Sequence, residues 1–276
     1  MEPGQLKATL KAGKPVFGFM IAAIEGLRWS RVYAGSTLDY IIIDWEHTSR
    51  SRARIAEIVT SIKSAGVTCI IRTPNTDDSY VAIALDAGAD GVLVPYCETV
   101  EEVRRCANKV RFHPLKGEYF ERVGLTGELP SEKTREYLHN RHKDHIFIMG
   151  VESEPCVNRL DELLQCAEID GIFVGPNDLT TSLGIPDEVD NPQYLEVLKH
   201  IIDTGEKYGV PTMVHQQSIE TSTKAIELGS RFVLHSSDVG ILLKGIQNDF
   251  AELREVAAGK FGEVEAREAE DTLETI

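Results

Sequence analysis

Three observations predict a (β/α)8 barrel, an α/β domain of alternating strands and helices. The first is a recurring phrase: a small residue, glycine, a short spacer, then an aliphatic run. It appears as AGSTLDYIIID, SAGVTCIIR, DAGADGVLVP, KYGVPTMVH and ELGSRFVLH, with EIDGIFVGP a near relative. The glycine falls where a helix C-cap belongs, and the run that follows is a strand. The second observation is that these runs are apolar on both faces, as parallel strands covered by helices must be. The third is that helical patterns separate them, giving eight βα units in about 250 residues, the size of such a barrel.

In chain order, FGFMIA predicts a first strand near 17–22, and DYIIID a second near 40–46. TCIIR gives 68–72, GVLVP 91–95, HIFIMGV 145–151, GIFVG 171–175, PTMVH 211–215 and FVLH 232–235. Between them lie RARIAEIVTSIKS, SYVAIALDA, TVEEVRRCANKV, VNRLDELLQCA, YLEVLKHIIDTGEKY and SIETSTKAIEL, all with helical spacing. An open doubly wound sheet is the competing architecture. It needs a glycine-rich phosphate loop after the first strand, and FGFMIAAIEG is not one. Two segments fall outside the repeat. Residues 113–144 form a polar excursion between strands four and five, expected as a loop plus a short helix, and 259–276 form an acidic extension. The expected division is a barrel over 1–258 and a tail over 259–276, frayed or helical against a partner.

The bulk numbers narrow the partners. A formal charge of −15 disfavours nucleic acid and anionic membranes. It also means that an anionic substrate needs local positive charge against the protein's own field. No stretch has signal-peptide or transmembrane character, so the cytoplasm is the simplest address. Five cysteines form no CxxC pair and read as free thiols.

In a barrel of this kind the working residues sit at the C-terminal ends of the strands. Strand two ends in Asp44, Glu46 and His47, strand three in Arg72 and strand five in Glu152; GPND after strand six supplies Asp178. His215, His235 and Asp238 follow strands seven and eight. Glu152 and Asp178, from neighbouring strands with no cysteine near, make an oxygen donor pair for a hard divalent ion. Each residue has a plainer reading. Asp178 could N-cap a helix, Glu152 could be solvated, His47 could be a loop histidine, and Arg72 could pair structurally with Asp44 or Glu46. His139, His142 and His145 in HNRHKDH fit a solvated helical face better than a metal site. Alternation along strand two puts Asp44 and Glu46 on one face and Trp45 and His47 on the other. The strand must therefore end or twist before His47 if that ring is to reach the pocket.

IIIDWEHTS, IIRTP, DAGADGVLVP, MGVESEPCVNRLDEL and GIFVGPNDLTTSLG, in that order, resemble the HpcH/HpaI aldolase family over about residues 16–250. The resemblance implies a class II aldolase that releases pyruvate or a related 2-oxo acid from a 4-hydroxy-2-oxo acid, leaving an aldehyde. It implies Glu152 and Asp178 as ligands of Mg²⁺, Mn²⁺ or Co²⁺, and Arg72 at the oxo or enolate oxygen. It implies His47 as acid/base, tuned by Asp44 and Asp86, and Gly175 with the amides of Asn177 and Asp178 around the substrate carboxylate. It also implies a homo-oligomer, commonly a hexamer built as a trimer of dimers. The sequence departs from the family pattern at Ile21, Gly150 and FHPLKGEYFERVG, around the aldehyde half of the pocket. Two alternatives stand beside this reading. One is an acyl-CoA lyase of the citrate lyase β or malyl-CoA lyase type, for which Lys116, Arg122, Lys133 and Arg135 would be the basic residues. The other is a non-catalytic 2-oxo acid-binding barrel.

Overall fold

In the computed structural model, which describes residues 1–262 and Val264, eight parallel strands close on themselves in sequence order. They are β1 (Val16–Ile21), β2 (Tyr40–Asp44), β3 (Thr68–Arg72), β4 (Gly91–Val94), β5 (Ile146–Gly150), β6 (Gly171–Val174), β7 (Thr212–Gln216) and β8 (Phe232–Ser237). Every predicted strand is present to within a few residues, and the barrel is the observed architecture.

Alternation along the strands sorts side chains into two cores. Ile41, Ile43, Cys69, Ile71, Val92, Met149, Val174 and Val214 point outward and pack on helix residues such as Ile55, Ile62, Val81 and Ile201. Tyr40, Ile42, Ile70, Leu93, Ile148, Phe173, Met213 and Leu234 point inward and fill the barrel. The helix Pro3–Lys11 contributes Leu6 and Leu10 to this inner core, closing the end from which the strands start. The interior is therefore solid below, and the next inward layer above Ile42, Ile70, Phe173 and Met213 is the floor of an open mouth.

The excursion differs from expectation. It holds two helices, Gly117–Thr126 and Glu132–His142, rather than one. Both pack on the outside of the helix Val100–Phe112: Phe120 is buried beneath Lys109 and Arg105, and Val123 and Leu138 are also buried. The last helix, Asp238–Phe261, runs across the expected boundary at 258, and the rest of the tail apart from Gly262 and Val264 lies outside the described residues. Among the described residues no helix is long and apolar enough to cross a membrane.

Candidate active site

The mouth is built by strands that stop at different residues. In β2, Tyr40 and Ile42 face inward, so Asp44 does too, and its register partner on β3 is Arg72. The guanidinium grips the carboxylate with Nε to Oδ1 at 3.0 Å and Nη2 to Oδ2 at 2.8 Å. Burial would raise the Asp44 carboxyl, but Arg72 beside it outweighs burial and holds it below the usual carboxylate range. Arg72 is itself buried, lies 5.8 Å over the ring of Phe173, and reaches Glu46 through Nη1 at 3.2 Å.

The chain then turns away from the sheet. Oδ1 of Asp44 accepts hydrogen bonds from the backbone N–H of Glu46 at 3.0 Å and of His47 at 3.3 Å. Trp45 stays in the outer core, donating its indole N–H to the Arg50 carbonyl. The strand thus ends at Asp44, and this turn frees His47 from the outward position that alternation would assign. Its imidazole is half-exposed at the rim, with Nε2 3.5 Å from Glu46 Oε2.

Across the mouth, Glu152 follows β5 and is almost fully buried. Its Oε2 accepts the Tyr96 backbone N–H at 2.6 Å, and Oε1 has no hydrogen-bond partner. A Cβ placed on Gly175 would lie 2.6 Å from Glu152 Oε1 and 3.2 Å from Asp178 Oδ2, so the two oxygens are within about 6 Å of each other. Asp178 does not cap its helix. That helix, Pro176–Ser182, starts from Gly175, and Asp178 sits in its first turn. Burial, reinforced by Glu46, pushes the Glu152 carboxyl up to about 8. Burial, with Asp44 and Asp178 adding to it against Arg72, pushes Glu46 up to about 7. The charges of Glu46 and Asp178 add to the cost of ionising Glu152, and those of Asp44 and Asp178 to the cost of ionising Glu46. A buried orphan oxygen, a second carboxylate beside it and a glycine that leaves the space open fit a hard divalent ion. Among the described residues no group of three or more His, Cys, Asp or Glu side chains forms a ready-made metal cage. Two carboxylates with water and substrate completing the shell is the usual Mg²⁺ arrangement.

Other expected residues fall elsewhere. Asp86 is the last residue of the helix Asp78–Asp86, which returns to the starting end of the barrel, and its Oδ1 lies 2.8 Å from His113 Nε2. Within the chain it cannot tune His47, because a helix of a βα unit runs opposite to its strand. His235 points outward to Ser222 Oγ at 2.8 Å, and Asp238 binds the backbone N–H groups of Ala22, Ala23 and Ile24. His142 and His145 touch at 3.3 Å while His139 is exposed, so the histidine triplet does not converge. In the excursion Arg122 pairs with Glu118 and Arg135 with Glu132, leaving interleaved charge.

Glu46, expected on one face with Asp44 and as a partner for Arg72, is paired with Arg72 as alternation suggests. One contributor escaped notice. Tyr96 contributes through its backbone, held at φ 51°, and a main-chain donor leaves no mark in the sequence. Gly150 makes this approach feasible, since a Cβ there would come within 2.8 Å of the Pro95 Cα and 2.9 Å of the Tyr96 nitrogen.

Comparison with known proteins bears on this geometry. The family model described as HpcH/HpaI aldolase/citrate lyase matches residues 29–244. A 5-keto-4-deoxy-D-glucarate aldolase of Salmonella arizonae is 25% identical over 248 residues, 89% of this chain and 94% of its own length. Among solved structures, an HpcH/HpaI aldolase from Desulfitobacterium hafniense is 26% identical with a TM-score of 0.77, covering 91% of this chain and 96% of that one. The citrate synthase SbnG is 25% identical with a TM-score of 0.75, covering 91% and 98%.

Proposed function

The chain belongs to the HpcH/HpaI aldolase/citrate lyase family, and from that premise we propose that it is a divalent metal-dependent aldolase. It cleaves a 4-hydroxy-2-oxo acid of the 2-keto-3-deoxy sugar acid type, reversibly, to pyruvate or a related 2-oxo acid and an aldehyde. The observation that carries this reading is the convergence of Glu152 Oε1 and Asp178 Oδ2 beside the bare face of Gly175, opposite the buried Arg72.

Glu152 and Asp178 would hold Mg²⁺, Mn²⁺ or Co²⁺, whose Lewis acidity would polarise the 2-oxo group. The chain's own groups supply the rest. Gly175 and the first-turn amides of Asn177 and Asp178 receive the substrate carboxylate. Arg72, pinned by Asp44 and Glu46, presents a fixed positive charge where the enolate oxygen develops its negative charge, at no cost of reorganisation. His47 takes the proton of the C4 hydroxyl; the C4–O electrons form the aldehyde carbonyl, and the C3–C4 pair becomes the pyruvate enolate. A proton delivered to C3 completes the release. Asp44 acts by positioning Arg72 and the Glu46–His47 turn rather than by contacting substrate.

The apolar residues Ile241, Leu242, Ile246, Phe250, Leu253 and Val256 stand exposed on the long last helix, which supports burial against other copies in a homo-oligomer. The hexamer is the form that family resemblance implies. Free cysteines suit a reducing compartment, and we read the protein as cytoplasmic. The test is a retro-aldol screen over 4-hydroxy-2-oxo acids, coupled to lactate dehydrogenase, with and without EDTA. Release of 2-oxo acid that EDTA abolishes and Mn²⁺ or Mg²⁺ restores is expected. Activity indifferent to the chelator, or undiminished in Arg72→Ala, would sink the mechanism.

A further inference from the structure

One buried cation beside the mouth has no part in the chemistry above. Arg50 is the last residue of the loop after β2, directly before Ser51, which caps the helix Arg52–Ser64. Its side chain is 4% exposed. A buried guanidinium needs acceptors for its N–H groups, and here they are chain oxygens and a hydroxyl rather than a carboxylate of the site. Nη1 donates to the Asp44 carbonyl at 2.9 Å, to the Thr48 hydroxyl at 3.2 Å and to the Ile21 carbonyl at 3.3 Å. Glu25, on the loop after β1, offsets the charge: its Oε1 lies 3.5 Å from Nε, while Oε2 meets Arg54 at 3.0 Å.

These bonds close a ring of contacts around the turn that carries His47. The Asp44 carbonyl accepts the Thr48 hydroxyl at 2.6 Å as well as Arg50, and the Arg50 carbonyl accepts the Trp45 indole N–H at 2.9 Å. Asp44 Oδ1 accepts the N–H groups of Glu46 and His47. Asp44 is thus gripped twice, by Arg72 on its side chain and by Arg50 on its main chain. The imidazole has little hold of its own. It is 49% exposed, and among the described residues its ring makes no hydrogen bond; Glu46 Oε2 stands 3.5 Å away. A ring tethered so weakly stands where the backbone of its turn puts it.

We propose that Arg50 is a positioning residue for His47: by holding the Asp44 carbonyl and Thr48, it fixes the turn that presents the imidazole to the reacting hydroxyl. The proposal rests on the aldolase reading and adds to it a residue that never touches substrate. Proton transfer works only over hydrogen-bond distance, so a turn displaced by about 1 Å takes the base out of reach. The metal and pyruvate half is spared. Glu152 and Asp178 follow β5 and β6, and Arg72 keeps its own grip on the Asp44 side chain. All three Arg50 bonds to the turn and to Ile21 leave from one nitrogen, so a lysine ammonium can replace part of them.

The experiment is a double-mutant cycle on the Mn²⁺-loaded full chain, with pyruvate and glycolaldehyde in the addition direction and Mn²⁺ affinity measured by calorimetry. Proton–deuterium exchange of the pyruvate methyl group, which involves no aldehyde, is measured on the wild type. Arg50→Met keeps the length and removes the donors. It should lower kcat by about 100-fold, with the KM for pyruvate and the Mn²⁺ affinity unchanged. Arg50→Lys should recover part of the rate. In a His47→Gln background Arg50→Met should cost nothing further, because its effect passes through the imidazole. The same fractional loss in both backgrounds, or full activity in Arg50→Met, overturns the role of Arg50. If Arg50→Met does not fold, the shorter and uncharged Arg50→Gln enters the cycle under the same criteria. Full activity in His47→Gln overturns the base and its positioning residue together. Absence of exchange in the wild type overturns the underlying pyruvate reading, and this proposal with it.

Discussion

Asp44 and Arg72 are register partners on the last rung of β2 and β3, and their side chains meet in a two-pronged ion pair of 3.0 and 2.8 Å. The pair is buried and also supports Glu46 at 3.2 Å. Only a planar, forked cation satisfies two carboxylates while leaving its charge at the centre of the mouth. Arg72→Lys keeps the charge and loses the fork. It should lower kcat by about 100-fold or more, the usual cost of removing a preorganised donor at a developing oxyanion. Steady-state kinetics beside a circular dichroism spectrum would check it. An active lysine variant would mean that the fork is unimportant.

Gly175 is the test of the shared carboxylate site. A methyl group there would stand 2.6 Å from Glu152 Oε1 and 3.2 Å from Asp178 Oδ2, so Glu152 must move aside and Asp178 must give slightly. Gly175→Ala should weaken Mn²⁺ binding by about 10–100-fold, the range seen when the ligand surroundings of a metal are disturbed. Calorimetric titration with Mn²⁺ measures this directly. Wild-type affinity in the alanine variant would show that the two oxygens do not share an ion.

The barrel was legible because its signal repeats: glycine, then a doubly apolar run, before six of the eight strands. Arg72, Glu152 and Asp178 were legible for the same reason, since a charged residue closing an apolar run has few other places to go. The arrangement at the rim was not. Alternation misplaces His47, because the turn that redirects it depends on Asp44 accepting two backbone hydrogen bonds rather than on any periodic pattern. Family pattern put Asp86 with His47, whereas the direction of its helix sends it to the far end of the barrel. Tyr96 holds Glu152 through its main chain, to which the side-chain identity gives no clue.

The burial of Glu152 and Glu46, with other acids close by, gives the metal-free protein a characteristic pH response. Glu152 moves from an ordinary 4.5 to about 8 on folding, and Glu46 moves in the same direction to about 7. The folded chain therefore keeps protons that the unfolded chain has released. Their contribution to stability is whole below pH 4.5 and disappears as pH rises through 7 to 8. In EDTA the Tm should fall across that window, and Glu152→Gln should flatten the fall. Added Mn²⁺ should stabilise most at the alkaline end, where ligands need lose no proton. A Tm insensitive to pH in EDTA, or an equal slope in the glutamine variant, would contradict the cost of ionising these buried groups.

Asp238 sets the other side of the mouth without touching its chemistry. Oδ1 accepts the N–H of Ala22 at 2.9 Å, and Oδ2 those of Ala23 at 2.9 Å and Ile24 at 2.5 Å, so one buried carboxylate ties the loop after β1 to the end of β8. Asp238→Asn replaces one acceptor oxygen with an amide donor facing N–H groups. At least one backbone donor then loses its partner inside the protein, a cost of about 1–3 kcal/mol. The expected outcome is a lower urea midpoint with unchanged m-value, and faster amide exchange confined at first to residues 22–24. Pyruvate exchange should survive this change better than aldehyde addition, because the loop borders β8 rather than the strands that carry Glu152 and Asp178. Stability equal to wild type would show that water replaces the lost acceptor and that the loop does not depend on Asp238.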